Sequence, residues 1–105
     1  MRFMMKCQMD VEIANARIKD GSLQRTIQSI LEEQRPEAVY FAEMDGARTA
    51  ILFCNVAEPS DIVRFGEPWF LAFNACVEFH PAMTAQDLMK ATPAMDQAVK
   101  KYAVK

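Results

Sequence analysis

The sequence predicts an α+β sandwich, in which one antiparallel sheet carries helices on a single side. Three patterns point to it. Residues 2–9 and 75–80 alternate in polarity with a period of two, as half-buried strands do. The dipeptide Asp45–Gly46 sits between two further alternating runs, the signal of a two-residue hairpin. The segments separating these strands carry apolar stripes at helical spacing.

In the first strand Phe3, Met5, Cys7 and Met9 share one side, and Met4, Lys6 and Gln8 the other. Asp10 is placed to cap a helix over VEIANARIK. After the break at Asp20–Gly21, a second helix begins at Ser22 and runs through SLQRTIQSILEEQ until Pro36 stops it. Leu23, Ile27, Ile30 and Leu31 give this second helix its stripe. In the hairpin AVYFAEM–DG–ARTAILFCNV the turn pairs Met44 with Ala47. Tyr40, Ala42, Thr49, Ile51, Phe53 and Asn55 then share one face. Val39, Phe41, Ala50, Leu52, Cys54 and Val56 share the other, which is the more uniformly apolar and is expected to lie under helices.

Ser60 is read as the cap of a short helix DIVRF, Gly66 as a break, and Pro68 as the first turn of an aromatic helix, WFLAFN. The strand ACVEFHP sets Ala75, Val77 and Phe79 against Cys76, Glu78 and His80. Thr84 and Asp87 form a capping-box pattern, and Pro93 restarts a last helix bearing Met95, Val99 and Tyr102.

This order, βαββαβ with a terminal helix, is that of a ferredoxin-like domain, and 105 residues suit a single domain over 1–105. The side of the sheet bearing Met4, Tyr40, Ile51 and Phe53 is left without helices. So large an apolar patch predicts a homodimer packed sheet against sheet.

Composition narrows the function. A net charge of −2 with no basic stripe argues against nucleic acid as a partner. The start, MRFMMKCQMD, is apolar too briefly for a signal peptide or a membrane span, so a cytoplasmic protein without a membrane partner is expected. Three cysteines without a CxxC pair and a single histidine predict neither a disulfide framework nor a metal site. The cysteines are expected to be reduced and buried, and no cofactor is expected.

Two stretches, "DGSLQRTIQSILEEQRPEAVYF" and "EPWFLAFNACVEFHPAMTAQDL", resemble a group of short bacterial proteins of the dimeric α+β barrel superfamily. That superfamily includes muconolactone isomerases, small quinol monooxygenases and YciI-like proteins. The resemblance implies two ferredoxin-like units enclosing a cavity; because its members use different residues for different reactions, it implies no reaction.

The candidate acid and base are Glu78 and His80, about 7 Å apart on one strand face. Cys76 lies ~13 Å from His80 along the same strand, too far to form a nucleophile pair with it. Lys6 and Gln8, on the neighbouring strand, and Tyr40 and Asn55, on the hairpin, are candidate ligand-binding groups. Trp69 and Phe73 are read as core aromatics that would join the site if they reached a cavity mouth. Arg48 and Glu43 are read as a solvated pair near the turn. The expected function is a small-molecule enzyme of isomerase, decarboxylase or cofactor-free oxygenase type, acting on a compact aromatic or lactone-like ligand. The alternative is a non-catalytic ligand-binding or structural dimer module.

Overall fold

The computed structural model describes residues 1–104. Its elements are β1 (Arg2–Gln8), α1 (Val11–Lys19), α2 (Leu23–Gln34), β2 (Ala38–Met44), β3 (Ala47–Asn55), α3 (Asp61–Phe73), β4 (Cys76–Pro81), α4 (Ala85–Lys90) and α5 (Thr92–Tyr102). The four strands form one antiparallel sheet in the order β2-β3-β1-β4. The architecture is α+β and compatible with a ferredoxin-like fold.

The hairpin has the anticipated register, with Met44 opposite Ala47 and Tyr40 opposite Ile51. Asp45 and Gly46 both take positive φ, 54° and 79°, as a type I′ turn requires. The Glu43 carboxylate tightens the turn by accepting from the Gly46 N–H at 2.7 Å. Glu43 and Arg48 face each other across the strands, yet Arg48 donates to Asn15 of α1 at 2.7 Å instead of pairing with the acid.

Strand alternation decides which side chains enter the core. Met5, Cys7, Ala50, Leu52 and Cys54 pack with Ala14, Ile30, Phe65, Trp69 and Phe73 in one cluster. Asp10 caps α1 through Ile13, as its position suggested. Ser22 makes no cap bond; its hydroxyl instead accepts from Arg17 at 3.2 Å. Ser60 also leaves its helix uncapped, and the turn before α3 is closed by Asp61, which accepts from the Ala57 and Glu58 N–H groups. The capping box at Thr84 and Asp87 is complete in both directions.

One expectation about helices is corrected. Residues 61–73 form a single helix through Gly66 and Pro68, not two short ones. An interior proline costs about 3 kcal/mol. Continuity aligns Phe65, Trp69 and Phe73 on one buried stripe, and each such side chain contributes about 1.5–3 kcal/mol on burial. Packing therefore outweighs the local penalty. Gln34 of α2 joins the stripe from the side: its Nε2 donates to the Phe65 carbonyl at 2.8 Å and its Oε1 accepts from Trp69 Nε1 at 3.2 Å.

A second correction concerns the cysteines. Cys7 and Cys54 are buried, but Cys76 is exposed, because it points to the uncovered side of edge strand β4. Burial pushes the Cys54 thiol up to about 11 and raises Cys7 further, so both are held as thiols.

After β4 the chain leaves the sheet. Neither α4 nor α5 contains a buried residue, and the principal neighbour of α5 is α4. The radius of gyration is 17.7 Å with a longest extent of 60 Å, against about 13 Å expected for a compact chain of this length. Helices α4 and α5 thus form a projecting arm.

Candidate functional site

The uncovered side of the sheet is assembled by register. Lys6 stands opposite Ile51 on one side and Glu78 on the other, and Met4 lies between Phe53 and His80. Tyr40 extends the same row beyond Ile51. Two adjacent strands therefore place the expected charged groups together on a face that mixes apolar Met4, Ile51 and Phe53 with polar Gln8, Thr49 and Asn55.

The polar cluster has a defined order. Lys6 Nζ lies 3.5 Å from Glu78 Oε2, and His80 Nε2 lies 3.0 Å from Glu78 Oε1. The His80 hydrogen bond, with the Lys6 charge beside it, holds the Glu78 carboxyl below the usual carboxylate range. An ionised Glu78 can only accept, so a neutral His80 bonded to it carries its proton on Nε2 and presents a free lone pair on Nδ1. The arrangement is a base oriented by a carboxylate that is itself fixed by an ammonium group. His80 remains about half exposed, with 52% of its side chain accessible, so within one chain the group is open to solvent.

The other expected site residues divide. Gln8 turns away from β4 and donates to the Met44 carbonyl at 2.9 Å. Asn55 accepts from the amino group of Met1 at 2.7 Å. Tyr40 is 65% exposed at the hairpin edge of the row. Trp69 and Phe73 are fully buried on the helix-covered side, with ring centroids 5.8 Å apart. They support the core and do not reach the face of His80, because the stripe that buries them points α3 at the opposite side of the sheet.

A large cavity lies somewhere the sequence did not point. It measures about 1030 Å³ and lies on the helix-covered side, between α1, α2 and the β2–β3 hairpin. Leu23, Ile27 and Leu31 of α2 and Phe41 of β2 line it, together with Glu32 and Glu43. Phe41 shares its strand face with buried core residues, yet it is 53% exposed, because no helix covers this corner. The expectation that its whole face lies under helices fails here. The available signal was the breadth of the α2 stripe: Ile30 meets the core, while Leu23, Ile27 and Leu31 are only partly covered.

Among the described residues, no group of three or more His, Cys, Asp or Glu side chains is placed to hold a metal ion, and no helix is long and apolar enough to cross a membrane. Compared with protein-family models, curated proteins and solved structures, the chain matches none.

Proposed function

We propose that the chain is a ferredoxin-like unit of the dimeric α+β barrel type, and that its homodimer is a small-molecule acid–base enzyme of isomerase, decarboxylase or cofactor-free oxygenase type. The observation carrying this reading is the Lys6–Glu78–His80 chain of contacts on the open sheet face. A second copy packed on Met4, Tyr40, Ile51 and Phe53 would enclose the three groups and exclude water, the setting in which oriented polar groups act on a ligand. His80 Nδ1 would take a proton from a carbon next to a carbonyl of a compact aromatic or lactone-like substrate and return it at another position. Glu78 would stabilise the imidazolium formed in between.

Two measurements test this. Sedimentation at micromolar concentration should give a mass about twice 11.9 kDa; a single-chain mass removes the enclosed site. A thermal-shift screen of small aromatic acids and lactones, followed by turnover assays, should yield a ligand whose conversion falls about 10²–10⁴-fold in His80→Ala. Unchanged turnover in that variant overturns the assignment of the base.

A second reading, a non-catalytic dimer module, is favoured by one observation: a cavity of about 1030 Å³ lies on the side of the sheet away from His80. Ligands that bind without conversion, and bind equally well to His80→Ala, would select it.

A further inference from the structure

We infer that the cavity on the helix-covered side is a receptor for the C-terminal arm of a second copy, so that two chains exchange their α5 helices. This inference rests on the homodimer proposed above but not on the acid–base chemistry.

Two of the chain's incompletely covered apolar surfaces match in form. On α5, Met95, Val99 and Tyr102 recur at helical spacing and are 45%, 62% and 71% exposed. This stripe spans about 10 Å along the helix axis. In the cavity, Leu23, Ile27 and Leu31 form an i, i+4, i+8 ridge about 12 Å long, with exposed Phe41 opposite. An amphipathic helix laid between a helical ridge and a strand is a familiar mode of recognition, and it would supply the helix missing above Phe41.

Charge agrees with the pairing. Glu32 and Glu43 line the cavity, while α5 carries Lys100 and Lys101 in its last turn. Arg48, the cation in the cavity lining, is already engaged by Asn15. Two carboxylates against one guanidinium leave the lining net negative, and the arm brings positive charge to it.

The chain's own arm is badly placed to fill this cavity. It leaves the sheet at Pro81, which pairs with Phe3 at the start of β1, whereas the cavity begins at Met9, beyond the other end of that strand. The separation is about 20 Å along the sheet, and the arm projects outward to give the 60 Å extent. In a two-fold dimer each arm would meet the other chain's cavity, which yields two identical contacts.

The test uses Val99→Asp, which spoils the arm, and Phe41→Asp, which spoils the cavity; Val99 is 62% and Phe41 53% exposed in the single chain, and an unchanged circular dichroism spectrum is required of each variant as proof that it is folded. Sedimentation equilibrium should show dimer association weakened about tenfold or more in each variant. An equimolar mixture of the two should pair more tightly than either alone, since one sound arm then meets one sound cavity. A wild-type dimer unaffected by Val99→Asp or by Phe41→Asp overturns the exchange while leaving the sheet-face dimer standing. A mixture no tighter than its components overturns it in favour of an arm that docks elsewhere. A wild-type monomer at micromolar concentration overturns the exchange and the sheet-face dimer together.

Discussion

The two sides of the sheet are written by the same strands and finish very differently. Met5 and Leu52 are fully buried under helices, while their chain neighbours Lys6 and Ile51 face outward and keep part of their surface accessible. On the covered side the buried polar groups are satisfied: Gln34 bridges Trp69 and the Phe65 carbonyl, and Ser22 accepts from Arg17. On the open side Glu78 touches both Lys6 and His80 in reach of water. A covered side leaves no freedom for an unpaired polar atom, because its desolvation would go uncompensated; an open side can hold charge at little cost. Reactive groups therefore collect where the helices stop.

That contrast can be broken most forcefully at Trp69. Trp69→Ala should destabilise the fold by about 3–5 kcal/mol in chemical denaturation, whereas Tyr40→Ala on the open side should change the unfolding free energy of the single chain by no more than about 0.5 kcal/mol. Equal losses would erase the distinction between the sides. Gln34→Ala comes next. It strands the Trp69 indole N–H and removes one of the donors to the Phe65 carbonyl, which keeps its helical bond, for an expected loss of about 1–3 kcal/mol. A neutral result would mean that water replaces both bonds.

Gly66→Ala sharpens the account of α3. A Cβ at this position would lie 3.2 Å from the Phe70 ring and 3.6 Å from the Phe79 ring. Phe70 is 43% exposed and free to yield, so removing a helical glycine should stabilise the protein by about 0.5–1 kcal/mol. A loss of stability would show that Phe70 is held in place.

The smallest effect belongs to the open side and depends on pH. The Glu78 carboxyl is held below its ordinary range by His80 and Lys6. A depressed carboxylate stabilises the folded state above its unfolded pKa, and that contribution disappears as pH falls through the folded value. Wild type should therefore exceed Glu78→Gln slightly in melting temperature at neutral pH, and the two should converge in acid. A difference that grows on acidification would contradict the contacts of Glu78.

Much of the fold was legible in the residues. The alternation in β1 and β4, the Asp45–Gly46 turn and the caps at Asp10 and Thr84 are local features whose physics acts within a few residues, and each is found where the pattern indicated. The division of Lys6, Tyr40, Glu78 and His80 from Trp69 and Phe73 also follows from periodicity once strands and helices are distinguished. Local rules failed at Gly66–Pro68, where the penalty of a proline was visible and the compensating burial of an aromatic stripe was not. They failed again at Cys76 and Phe41, whose exposure depends on which neighbours end short of them.

By itself, then, the sequence determined the strands, the hairpin register and the face on which each strand residue stands, because a period of two and a turn dipeptide act over a few bonds. Only the tertiary structure decided that Glu78 binds both Lys6 and His80, that Gln34 locks Trp69, that a cavity opens above Phe41 and that α5 stands clear of the sheet. Each of these depends on distances between segments far apart in the chain, which are set by how helices of particular lengths cover a sheet of particular width.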